Sequence, residues 1–174
     1  IRKMNGKKDW FLLDPDITFL NHGSYGACSK PIFKEYQNWQ KKLENQPVQF
    51  MTNQVYSAMQ KSRESMSEFV GCDEQEIIFF QNPTTAVSNI IYSLDLDVGD
   101  EILMTDHEYG ALIRAWEKFS DRRGVNIIQQ KIPVPIKSEE EFVKIFWQGV
   151  TDRTKVIFIS HITSPTALVF PIKK

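Results

Sequence analysis

Three short stretches of this chain place hydroxyls, imidazoles and carboxylates directly after apolar runs, where an open α/β sheet holds its ligands. The first is Gln81-Asn82-Pro83-Thr84-Thr85-Ala86. Asparagine is a good helix cap, proline suits the first helical position, and the two threonines then fall in the first turn. Backbone N–H groups there lack helical acceptors, the helix dipole is positive, and the hydroxyls add donors, so a phosphate would be held. The same residues also make a well-capped helix with no ligand. The second stretch is Asp106-His107-Glu108-Tyr109-Gly110. Its imidazole or phenol could lie flat on an aromatic cofactor anchored by the first turn. Alternatively, Asp106 caps a helix and His107 is a solvent-exposed first-turn residue. The third, Ser160-His161-Ile162-Thr163-Ser164-Pro165-Thr166, reads as a polar cluster or as a hydroxyl-rich turn before Pro165.

Other chemistries fit less well. His22, His107 and His161 all follow apolar runs, but no carboxylate or cysteine stands beside them at ligand spacing, so no metal site is expected. Cys28 and Cys72 form neither a disulfide framework nor a metal pattern and read as small packing residues. No G-x-S-x-G elbow supports a hydrolase, and no G-x-G-x-x-G or G-x-x-x-x-G-K-[ST] supports a nucleotide fold.

The elements that must carry these stretches alternate regularly. Ile17 to Leu20 reads as a strand, followed by the glycine-bracketed turn Asn21-His22-Gly23-Ser24-Tyr25-Gly26. Ser29 and Pro31 open a helix with Ile32, Tyr36, Trp39 and Leu43 at helical spacing. A second helix is expected from about Asn53, burying Val55, Met59, Met66 and Phe69 until Gly71 stops it. Ile77 to Phe80 reads as a buried strand, and Ala86, Val87, Ile90, Ile91 and Leu94 as the apolar face of the next helix. Strands are then expected at Glu101 to Thr105, Val125 to Gln129 and Val156 to Ile159. The helices between them run from Ala111 to Arg123 and, after the capping-box spacing Ser138 to Glu141, through Phe142 to Phe146. This pattern predicts an α/β fold, a mainly parallel sheet sandwiched by helices. An amino-terminal segment, 1–52, would border the site, and 53–174 would form the first part of a larger domain.

Composition agrees with a globular domain of 174 residues: 41% is apolar and 25% charged. The net charge of −1, with scattered Lys and Arg, gives no nucleic-acid face. No run approaches the roughly 18 apolar residues a membrane helix requires. The start, Ile1 to Lys8, has no apolar stretch behind its charges and does not read as a secretory signal. A reducing, cytoplasmic setting is the simplest expectation.

Four stretches together resemble class V aminotransferase-like enzymes of pyridoxal 5'-phosphate (PLP) fold type I, in particular the isopenicillin N epimerase-like branch. They are Phe19 to Ala27, Asn82 to Val87, Thr105 to Ala111 and His161 to Thr166, in the family's order and spacing. The resemblance implies an incomplete fold type I large domain and PLP as cofactor. Thr84 and Thr85 would bind its phosphate, and His107 would stack on its ring, with Tyr109 a lesser candidate. Thr163 and Ser164 would lie beside its phenolic oxygen. Asn21, Gly23 and Ser24 would border an amino-acid-like substrate, and the segment from Gln46 to Tyr56 would reach a homodimer interface. Pro83 and Ala167 depart from the alanine and glycine often found there. The family's aspartate for the pyridine nitrogen and its Schiff-base lysine would lie beyond Lys174, so no catalytic lysine is assigned. The implied reaction is epimerisation, elimination, desulfuration or transamination. The competing expectation is a catalytically inactive module that only binds a partner.

Overall fold

The computed structural model describes residues 8–174. The amino end read above for a secretory signal lies outside these residues, apart from Lys8. Two compact units divide between Ile78 and Phe79.

The first unit is mainly helical. The strand expected at Ile17 to Leu20 does not form: the segment has no ladder partner among the described residues, and Leu20 is 87% exposed. Pairing here is limited to an isolated antiparallel bridge between Phe11 and Ser29. Helix α1 (Lys30–Asn45) starts after Ser29 with Pro31 in its first turn, although the serine side chain makes no capping bond. A short turn, α2 (Pro47–Gln49), and a wide π turn, Phe50–Gln54, lead into α3 (Val55–Val70). Phe50 is buried and packs edge-on to Trp39, with ring centroids 6.2 Å apart. Gly71 ends α3 at a φ of 78°, and its N–H donates to Ser67 O at 2.8 Å, the left-handed cap glycine is suited to. The expected burial along α3 is not found. Met59 and Met66 are exposed and Phe69 is 85% exposed, so the described residues leave that stripe uncovered.

The second unit carries the sheet. Strands β1 (Glu101–Thr105), β2 (Asn126–Gln130) and β3 (Thr154–Phe158) are all parallel, in the order β2-β1-β3. Ile102 lies opposite Ile127 on one side and Val156 on the other. The fully buried central strand presents alternate residues to two layers. Ile102 and Met104 join Ile91, Trp116, Phe119 and Val125 beneath α4 (Pro83–Ser93) and α5 (Gly110–Arg123). Leu103 points the other way, into Ile132, Phe142, Phe146 and Phe170 beneath α6 (Glu139–Trp147). Helices therefore cover both faces of a parallel sheet, as the alternation of apolar runs predicts. Gly149, between α6 and β3, fits closely under this layer: a Cβ there would meet Leu103 Cδ1 at 2.5 Å.

Residues 77–80 differ from expectation. Ile77 is extended, but the segment is unpaired and Ile78 is 74% exposed, since no described strand runs beside it. The capping box of α6 is half realised. Ser138 accepts the Glu141 N–H at 3.1 Å, while the Glu141 carboxylate takes the Lys137 N–H at 2.7 Å instead of closing back on Ser138.

The amino end of the sheet is closed by an ionic cluster. Glu101 is 2% exposed, and its carboxylate accepts from Arg153 Nη2 at 2.7 Å, Arg153 Nε at 2.9 Å and Thr151 Oγ1 at 2.5 Å. The Thr151 hydroxyl, and after it the Arg153 guanidinium, hold this carboxyl below the ordinary carboxylate range.

Candidate functional site

The residues singled out after β1 and β3 gather at the opposite, carboxyl end of the sheet. Connectivity brings the start of α4 toward the same end. Only the link 94–100 separates α4 from the first residue of β1, so the carboxyl end of α4 lies by the strand's start. Ile91 packs on Ile102 and Met104, and helix and strand have similar lengths of roughly 16 Å, so Asn82 to Thr85 sit toward the strand's far end.

At that helix start the cap forms as its residue types dictate. Asn82 is extended, Pro83 occupies the first turn, and Asn82 Oδ1 accepts the Thr85 N–H at 2.8 Å and the Thr85 hydroxyl at 3.1 Å. Ala86 N–H reaches Asn82 O at 3.3 Å. The N–H and hydroxyl of Thr84 have no acceptor among the described residues and are half-buried with Thr85. The turn thus offers one threonine with open donors and a second whose donors are held by a neighbouring amide oxygen. An anion would draw on both if Asn82 released Thr85.

His107 is not the solvent-exposed first-turn residue of the alternative reading, and Asp106 is not a helix cap. The helix starts at Gly110 after Tyr109, and Asp106 Oδ1 instead accepts the Ile132 N–H at 2.9 Å. His107 is 8% exposed, with both ring nitrogens engaged. Nε2 donates to the Ile132 carbonyl at 2.9 Å, and Nδ1 lies 3.0 Å from Thr166 Oγ1. Phe170 meets the imidazole edge-on at 6.1 Å. Tyr109 is half open to solvent at 47%.

The third stretch folds as a tight turn. Thr163 is buried, its hydroxyl 2.7 Å from Thr166 Oγ1 and accepting the Leu168 N–H at 2.9 Å. Ser164 and Pro165 are exposed on the turn, and His161 is exposed too. Ala167 takes the left-handed conformation, φ 53°, which accounts for a position suited to glycine. His107, Thr163 and Thr166 therefore come together, whereas Ser164 stands apart from that network.

Glu108 is a site residue that sequence reasoning passed over. It is 2% exposed, and its carboxylate accepts from Thr105 Oγ1 at 2.7 Å, Ser160 Oγ at 2.5 Å and the Ser160 N–H at 3.1 Å. It ties the loop after β1 to the loop after β3. The available signal was a carboxylate three residues beyond a strand-ending threonine, with a serine two residues beyond the end of another strand.

In the first unit, Asn21, Gly23 and Ser24 lie exposed in the predicted turn, closed by the Tyr25 N–H on Asn21 O at 3.0 Å. His22 packs on Phe11 and Phe19 and accepts the Ala27 N–H at 3.4 Å. A Cβ at Gly26 would stand 3.3 Å from His22 O, a tight contact. Cys28 and Cys72 are exposed free thiols, not the packing residues expected. No group of three His, Cys, Asp or Glu side chains among the described residues could hold a metal ion, and no described helix is long and apolar enough to cross a membrane.

A parallel sheet between helix layers, with a braced imidazole at its carboxyl end, defines an α/β protein. The sequence profile of the family described as "Aminotransferase class-V" matches residues 28–174, and the chain belongs to that family. It is 29% identical to isopenicillin N epimerase of Streptomyces clavuligerus over 160 residues, covering 92% of this chain and 40% of that protein. Identity is 31% to the isopenicillin N epimerase of Amycolatopsis lactamdurans, covering 91% and 40%, and 26% to a probable chloroplastic L-cysteine desulfhydrase of Arabidopsis thaliana, covering 92% and 37%. The chain thus spans about two-fifths of the length of the curated relatives it matches. Among solved structures, the cystine C-S lyase C-DES in complex with cysteine persulfide superposes with a TM-score of 0.81 at 21% identity, over 90% of this chain and 42% of that one. A C-DES variant with glycine covalently linked to its PLP cofactor gives 0.80 at 22% identity, over 90% and 41%.

Proposed function

We propose that this chain contributes the phosphate and ring contacts of a PLP enzyme acting on the amino group of an amino-acid-like substrate, in epimerase, lyase or desulfurase chemistry. The observation that carries this reading is the pairing of the Asn82-to-Thr85 helix start with a buried, doubly bonded imidazole toward one sheet end. The residues fit the cofactor: open Thr84 donors and a positive helix end suit a phosphate, and the flat His107 ring suits a pyridine face. PLP, when bound, withdraws electrons from the bonds at the α-carbon of the amino acid joined to it.

The chain's own residues hold and orient. The Thr84 N–H and the two threonine hydroxyls bind the phosphate, with Asn82 yielding its hold on Thr85. His107 supplies a fixed plate for the ring. Ser164, exposed beside buried Thr163, is the freer donor for the phenolic oxygen. Asn21, Gly23 and Ser24 are proposed to meet the substrate. A homodimer is supported by the open apolar side chains of Val48, Met51 and Tyr56. The site is proposed to work in the cytoplasm.

Replacing Thr84 and Thr85 together by alanine in the full protein should lower PLP retention by roughly ten- to a hundredfold, since several charge-assisted bonds are lost. PLP absorbance after dialysis reads the effect. Unchanged occupancy would remove the phosphate assignment.

A further inference from the structure

We propose that Thr166 is a positioning residue that fixes the proton arrangement of His107, so that this imidazole serves as a rigid plate and leaves proton transfer to another group. The functional half of this inference rests on the cofactor reading above; the structural half does not. The Ile132 carbonyl can only accept, so Nε2 carries the proton that bridges the 2.9 Å to it. That carbonyl cannot drift, because Ile132 is 2% exposed and its own N–H is held by Asp106 at 2.9 Å. In the neutral ring Nδ1 is then an acceptor, and the hydroxyl that fills it is Thr166, at 3.0 Å.

The direction of the hydroxyl chain follows from the acceptor at Nδ1. The Leu168 N–H donates to Thr163 Oγ1 at 2.9 Å, Thr163 donates across 2.7 Å to Thr166, and Thr166 donates to Nδ1. Each hydroxyl gives once and accepts once. In the neutral ring, a proton placed on Nδ1 instead would turn the Nε2 lone pair on the Ile132 carbonyl and deprive the Thr166 hydroxyl of its acceptor. Phe170, edge-on at 6.1 Å, limits rotation of the ring out of this arrangement. An imidazole committed at both nitrogens can present its face to a ligand, but it has no proton to lend without giving up its bond to the Ile132 carbonyl.

The test is a long-range proton–nitrogen correlation spectrum of the protein labelled with nitrogen-15 at histidine, recorded with and without added PLP. His107 should give a pyrrole-type Nε2 and a pyridine-type Nδ1. In T166V, Nδ1 should move further downfield, having lost its donor, and T166S should return it to the wild-type position. PLP retention should fall roughly tenfold in T166V and recover in T166S. A wild-type spectrum with the proton on Nδ1 would overturn the proposal without any variant. So would an Nδ1 signal unmoved in T166V, or one that T166S fails to restore. If PLP does not bind while the imidazole pattern is as expected, the proton arrangement stands and the cofactor reading falls. If PLP binds and the pattern is reversed, the positioning role alone is lost.

Discussion

The two ends of the sheet each bury a glutamate, and they hold it in different ways. At the amino end, Glu101 meets a guanidinium whose side chain is 68% exposed, so the charge is matched by a group reaching in from solvent. At the carboxyl end, Glu108 is held by two hydroxyls and an amide, with no cationic partner among the described residues. The neighbouring His107 is likewise braced by a hydroxyl and a carbonyl, with the Asp106 carboxylate 3.5 Å from Nε2. An ion pair closes an end that only has to stay shut. Neutral donors fix the loops at the end proposed to receive the cofactor, so the buried carboxylate there is satisfied by hydrogen bonds and not by an ion pair.

The largest effect expected from this contrast is at Glu108. Glu108→Ala leaves the Thr105 hydroxyl and the Ser160 hydroxyl and amide without their shared acceptor. It should cost about 3 kcal/mol in urea unfolding. A loss below about 1 kcal/mol would mean the clamp is dispensable and the two ends are alike.

The amino end should instead betray itself through pH. Glu101's folded pKa is depressed below the ordinary 4.5, so its contribution to stability is complete above that value and disappears as pH falls through the lowered one. The urea midpoint should therefore drop on acidification below about pH 4.5, and Thr151→Val should shrink the drop. Glu140 is held at about 2 by the Lys174 ammonium and contributes in the same acid range, so only the portion sensitive to Thr151 belongs to the amino end. An acid response identical in wild type and Thr151→Val would remove the distinction.

The smallest effect is expected at Ala167. Left-handed backbone costs an alanine about 1–2 kcal/mol, while glycine gives back about 0.5–1 kcal/mol in unfolded-chain entropy. Ala167→Gly should raise stability by roughly 0.5–1 kcal/mol, read as a higher Tm. A fall in Tm would show that the loop draws its order from the methyl group.

Much of this was legible beforehand because the signals were local. β1 is found at the predicted residues, Gly71 and Gly124 end their helices in left-handed caps, and Asn82 caps α4 as its type suggests. Aromatic and β-branched runs mark strands, but pairing decides them. Ile17 to Leu20 and Ile77 to Phe80 carry the right residue types and find no ladder. At the site, His107 and Thr163 were visible from their places after strands. Glu108, Thr166 and the Ile132 carbonyl were not, because their roles depend on residues between 25 and 59 positions away meeting in space.

One consequence follows from the way β1 serves as a shared wall. Its side chains divide between the Trp116 layer and the Phe142–Phe146–Phe170 layer, and Phe170 also leans on His107. Trimming Leu103 would therefore loosen Phe170 and, through it, the support beneath the imidazole. The stiffness of the proposed site depends in part on a side chain that acts on it through a neighbouring ring.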